Sequence, residues 1–297
     1  MALNHHRTPN QSRLPRRISA AFLAPLAFGA IAWAQESPYI VTYDHHLEEP
    51  GNLEVEYFST FATQHAGNDF HAFWIEFEYG LKAWWTTEVY LDAQTTFNDS
   101  TLFTGWRWEN RIRPVRAEHF INPVLYVEFE NVSEADKTMK EIEGHDIAAD
   151  HGDPNSALRS EHDHELELKL ILSKDLKGWN VAVNPLATKN LSPSEPWEFG
   201  YAIGASRPLA LTASPNRCVF CRENFIVGAE MYGGLGDTAS LGLHETSHYL
   251  APVMAWNLPS GWTVRVSPGF GLNDNSHGFV MRWGLSREFP GIFEGQW

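Results

Sequence analysis

The chain has 297 residues, with 22 bases against 37 acids and a net charge of −15. That balance argues against nucleic acid as a partner. Two cysteines are too few for a disulfide-stapled scaffold, and the length suits one large domain.

Residues 1–34 read as an export signal. Arg7, Arg13, Arg16 and Arg17 form a basic start, Ile18 to Ala32 is a short apolar run, and Ala32-Trp33-Ala34 has the small-x-small cleavage pattern. The run is shorter than the ~20 residues of a spanning helix. Cleavage would leave a chain starting near Gln35; 22 bases less four leave 18 against 37 acids, or −19. Residues 35–52 are polar, with His45-His46 and Glu48-Glu49 ahead of Pro50-Gly51. No strand is expected there, and the segment reads as a periplasmic N-terminal piece.

From residue 53 the pattern changes to period two. Candidate strands cover 53–63, 69–79, 84–97, 101–115, 119–130, 162–173, 178–189, 196–207, 223–233, 247–256, 261–271 and 277–289. In the first hairpin, His71, Phe73, Ile75, Phe77 and Tyr79 alternate with positions that include Glu76 and Glu78. Successive strand side chains face opposite sides, so each strand has an apolar face and a face bearing carboxylates. Many segments reach the ~9–11 residues of a tilted spanning strand. The pattern is weakest at 178–189 and 247–256, which contain Pro185 and Pro252. No other stretch is apolar enough for a membrane helix, so any spanning is by strands. A secreted β-sandwich shares short aromatic strands and is the alternative fold.

The connections discriminate. Turns at 80–83, 115–118, 174–178 and 258–261 all follow even strands, while the longest connection, 131–161, follows the fifth. Short turns on one side and long loops on the other are the habit of a membrane barrel; only 208–222 is long on the short-turn side. Trp84, Trp85, Trp179, Trp256 and Trp262 fall at strand ends on that same side, as an interfacial aromatic girdle would.

The last strand ends Arg282-Trp-Gly284-Leu-Ser-Arg287-Glu-Phe289. It resembles the C-terminal signal of Gram-negative outer-membrane proteins through Arg282, Gly284 and Phe289; Arg287 stands where an apolar residue is usual. The whole pattern over 53–289 is similar to porin-like outer-membrane barrels. The expectation is therefore all-β: a single antiparallel transmembrane β-barrel of about 12 strands, with 290–297 as a tail. The resemblance implies outer-membrane lipid as surroundings and assembly by the outer-membrane insertion machinery.

The polar parity defines a candidate solute pathway: Glu76, Glu78, Glu88, Asp92, Arg107, Glu109, Arg111, Arg113, Glu128, Glu165, Glu167, Lys169, Arg265 and Arg282, together with Glu54, Glu56, Glu130, Glu198 and Glu230. Such a lumen fits an acidic, cation-preferring pore for a small polar solute, with Arg107, Arg111 and Arg113 as a local anion contact. It equally fits an interior closed by salt bridges. Histidines gather at the exterior end. Among them His145, His151, His162 and His164, beside aspartates, could hold a surface divalent metal; His162 and His164 share one strand face. No cofactor is otherwise expected.

Cys218 and Cys221 form CVFC. The haem pattern fails at Arg222, no second zinc pair exists, and a small disulfide loop is expected in an oxidising compartment. HETSH at 244–248 and NDNSH at 273–277 approach the His/Ser arrangement of lipid-active barrel enzymes. On a strand, however, His244/Ser247 and Ser276/His277 would point to opposite faces. The function expected is passage or binding of a small polar solute. The alternatives are a docking barrel that holds a periplasmic protein partner through 35–52 and 208–222, and a lipid-active enzyme.

Overall fold

A computed structural model describes residues 37–64, 67–138, 152–192, 194–212 and 218–292. Twelve antiparallel strands close into one barrel: β1 (Leu53–Ala62), β2 (Phe70–Lys82), β3 (Trp85–Thr96), β4 (Thr101–Ile112), β5 (Asn122–Ser133), β6 (His162–Leu176), β7 (Trp179–Asn190), β8 (Trp197–Pro208), β9 (Phe225–Asp237), β10 (His248–Asn257), β11 (Trp262–Gly271) and β12 (Phe279–Phe289). Each strand pairs with its sequence neighbours, and β1 closes on β12 from Leu53↔Phe289 to Ala62↔Val280. Closure leaves no open strand edge, which is what lets a sheet cross lipid. The only α-helix among the described residues is one turn, Asn155–Leu158, in the long β5–β6 connection.

Parity sorts the side chains as the sequence anticipates. Ile75, Phe77, Val89, Leu91, Val127, Leu170, Val183 and Ile203 are exposed, while their neighbours Glu76, Glu78, Glu88, Glu128 and Lys169 are buried. A soluble protein would put the aliphatic set inside; the inversion marks a barrel with lipid outside and a polar lumen. Trp85, Trp179, Trp256 and Trp262 lie on the outward parity at the short-turn end. Arg287 also faces outward there, its guanidinium 5.3 Å from the ring centres of both Trp262 and Phe289. A cation stacked on interfacial aromatics is tolerated at that depth, which accounts for a base at an apolar position.

The two weak strands both form. Pro185 keeps its pairing with Tyr201, but the β6–β7 ladder is interrupted between Lys169↔Leu186 and Leu172↔Val183. Pro252 pairs with Ala229, and the β10–β11 ladder is interrupted between Leu250↔Phe270 and Met254↔Val266, opposite Pro268. Proline lacks the N–H that a ladder needs, so each break falls where no donor is available.

One expectation is corrected. Residues 37–52 do not form a separate piece below the barrel. They run through the lumen, bonded to inward side chains of the barrel wall. The segment forms no strand. Gly80 of β2 lies so close to Glu48 and Glu49 that an added Cβ would fall 2.1 Å from the Glu49 carbonyl oxygen.

Candidate functional site

The N-terminal strap is held by side chains of the wall rather than by a β-ladder. Glu230 on β9 accepts from the backbone N–H groups of Ile40 (3.1 Å), Val41 (2.9 Å) and Thr42 (2.6 Å). Asn184 on β7 acts as a surrogate peptide: its Oδ1 accepts from Tyr43 N (2.6 Å) and its Nδ2 donates to Tyr43 O (3.0 Å). Ser173 accepts from His45 N (2.8 Å) and Thr86 from Glu48 N (3.1 Å). Buried backbone groups must be paired, and here inward side chains from β3, β6, β7 and β9 do the pairing. Tyr39 fits over Gly204, where an added Cβ would approach its ring to 2.6 Å; Tyr43 packs edge-on to Tyr126. Val41 joins an inner cluster that includes Phe70, Tyr232 and Tyr249.

Around the strap the ionised residues form a network. Arg111 binds Glu78 (2.5 Å), Glu88 and Glu109 (3.2 Å). Arg107 binds Asp92 (3.1 Å) and approaches Glu128 (3.6 Å), while stacking 4.0 Å over Tyr90. Lys169 pairs with Glu167 (2.8 Å), and Arg265 pairs with Glu56 while donating to the Ser37 carbonyl. Arg282 donates to the Tyr232 hydroxyl (3.1 Å). Arg113 sits at the short-turn rim on Glu118 (2.6 Å). The pathway residues thus converge on one lumen, although Glu165 and Glu198 near its outer end are only partly buried. The arginine ladder is not the anion contact expected of it, because each guanidinium is matched by carboxylates. Oxygens of Glu76, Glu78 and Glu88 come within 4.8 Å of one another beside Arg111.

The exterior end is narrowed from within the fold. Gln94 inside β3 donates to Ala135 O and accepts from Lys137 N, drawing the β5–β6 connection inward. Tyr249 accepts from His277 N, and His277 is 2% exposed rather than solvated. Of the four histidines expected to hold surface metal, His145 and His151 lie outside the described residues. His162 and His164 are exposed on β6; His164 pairs with Asn131 and packs on Phe129. Neither belongs to a metal-capable cluster among the described residues.

Cys218 and Cys221 are joined by a disulfide. Ser276 spends its hydroxyl on the backbone of His248 and on Asn273, and Ser247 is buried. A cavity of about 320 Å³ lined by Tyr201, Met231, His244 and His248 opens beside them. There Tyr201 Oη lies 3.0 Å from His248 Nδ1, and His248 Nε2 meets Thr246 Oγ1 (2.8 Å) and the Leu243 carbonyl (3.1 Å).

The lumen strap is what sequence reasoning missed. Its signal was faint: Tyr39, Val41 and Tyr43 alternate, and Glu230 is an acid between Ala229 and Met231 on β9.

No protein-family model and no curated protein matches the chain. Among solved structures it is similar to an outer membrane channel from Pseudomonas putida F1, with 12% identity and a TM-score of 0.54 over 84% of this chain and all of that one. A KdgM porin in complex with disordered oligogalacturonate is more distant, with 7% identity and a TM-score of 0.48 over 80% of this chain and 98% of that one. At these identities the likeness is one of fold, and the fold is that of an outer-membrane β-barrel.

Proposed function

We propose that the protein is a porin-like outer-membrane channel that passes small polar solutes, with preference for cations. One observation carries this: the wall of a closed twelve-strand barrel presents an ionisable inner face in which buried carboxyl groups outnumber buried bases. Rings of carboxylates on such a wall concentrate cations. The solved channel of similar fold supports the reading. The export signal expected over 1–34 supports it too, since a chain released near Gln35 would keep every described strap contact, that of Ser37 with Arg265 included. The mature N-terminus should therefore lie near Gln35, and N-terminal sequencing of membrane-extracted protein reads it directly.

The strap lies across the passage, so conductance should be small while it is seated. Planar-bilayer recording of the mature protein under a KCl gradient tests the channel. Discrete steps with a reversal potential on the cation side support it. Silence both in the intact protein and after deletion of 37–49, with the barrel still folded, would sink it in favour of a docking barrel.

A further inference from the structure

The strap meets the short-turn mouth of the barrel at His45 and His46. His45 is 1% exposed, and its Nε2 has no hydrogen-bond partner. That nitrogen points at two carboxylates, 3.5 Å from Glu118 Oε1 and 3.9 Å from Asp175 Oδ2. His46 brings its Nε2 to 3.3 Å from the same Asp175 oxygen, while its Nδ1 sits 2.9 Å from Asp44 Oδ1. Ligand atoms of His45, His46 and Asp175 all fall within 4.8 Å of one another.

We propose that His45, His46 and Asp175, with Glu118 beside them, hold one divalent transition metal of the zinc class, which fastens the N-terminal strap to β6. Three physical arguments carry it. First, two donors about 2.0–2.1 Å from a tetrahedral ion stand roughly 3.3 Å apart, and the separations here are already 3.3–3.9 Å. Second, the far side of His45 is fixed as a metal-bound imidazole requires. Its Nδ1 lies 2.5 Å from Ser173 Oγ, and with the proton on Nδ1 the Nε2 lone pair faces the carboxylates. A lone pair aimed at two anions in a buried place is costly unless a cation stands between them. Third, two imidazoles with carboxylates are a donor set for zinc, nickel or copper rather than calcium or magnesium.

The neighbours are compatible with the ion. Arg113 and Asn122 donate to Glu118 and hold it in place. Asp44 lies against the other ring nitrogen of His46 and orients that imidazole toward Asp175. His46, Asp175 and Glu118 are half exposed or more, so an ion can arrive from solvent without unfolding the barrel. This site is distinct from the exterior histidines and does not depend on what the lumen conducts.

The test is zinc binding to the detergent-purified, chelator-stripped full barrel, by calorimetry and by metal analysis after dialysis. Wild type should take up one Zn(II) per chain, and Co(II) in its place should give the visible absorption of a tetrahedral nitrogen–oxygen site. His45→Ala and Asp175→Asn should each weaken binding at least 100-fold, whereas a His162→Ala/His164→Ala double variant should not change it. No saturable uptake by wild type, or uptake abolished by the His162/His164 change but not by His45→Ala, overturns the proposal. Retained heat-modifiable gel mobility shows that a variant still folds. If His45→Ala fails that check, Ser173→Ala replaces it and leaves every ligand intact. Loss of such an orienting partner is expected to cost about 10–100-fold in affinity, and an unchanged affinity counts against the site.

Discussion

Glu230→Ala is the sharpest probe of the strap. In the intact protein one buried carboxylate accepts three backbone donors, from Ile40, Val41 and Thr42, at 2.6–3.1 Å. Hydrogen bonds to a charged group are worth about 1.5–3 kcal/mol each. Taking the low end for three bonds that share one acceptor gives about 4.5 kcal/mol, against which the variant leaves three buried N–H groups with no acceptor. The chain avoids that cost by letting the segment lift off the wall, so detachment limits the loss and the barrel itself survives. Opening of residues 40–42 should then be favoured by about a thousandfold, since each 1.4 kcal/mol is a factor of ten. Hydrogen exchange followed by mass spectrometry on peptides spanning 37–49 reads this directly, with peptides from β1 and β12 as the internal standard. Faster exchange in the strap alone is the expected pattern. Unchanged exchange at 40–42 in Glu230→Ala would refute the reasoning, because it would mean that the carboxylate does not hold the segment.

Other outcomes follow from the same geometry. Gly204→Val should unseat Tyr39, because its ring lies where the new Cβ would go; protease cleavage within 37–49 should become faster while the barrel core stays resistant. Arg111→Met should destabilise the barrel by about 3–5 kcal/mol in a urea titration of the detergent-solubilised protein, since it strands Glu78, Glu88 and Glu109 in the lumen. A larger loss than from Arg113→Met is expected, because Arg113 pairs at the rim with the exposed Glu118. Chelator treatment should speed exchange in the strap near His45 and His46, and added zinc should restore it.

The barrel was legible because a strand's face is encoded in its own parity. Glu76 between Ile75 and Phe77 says which way each points before any partner is known. Even Pro185 and Pro252 did not hide their strands, because each ladder breaks on one side only. The strap was not legible for the opposite reason. Residues 37–46 take their hydrogen bonds from side chains on β6, β7 and β9, so no periodicity within the segment records the pairing. The same holds for the histidines. Sequence spacing drew attention to His162 and His164, which share a face, yet the metal-capable group joins adjacent His45 and His46 to a residue at the far end of β6. Ion pairing in the lumen was anticipated as a class, but the register decides which arginine meets which acid. Glu88 and Glu109 stand opposite each other across β3 and β4, and Arg111 closes over both.

The measurement that bears most directly on the channel itself is the reversal potential of the mature protein and of the 37–49 deletion, recorded in parallel in planar bilayers with a tenfold KCl gradient. The lumen described here predicts small steps from the intact barrel and larger steps from the deletion, both reversing on the cation side because the acidic wall remains. Larger anion-selective steps, or no difference between the two proteins, would contradict a strap seated in an acidic passage.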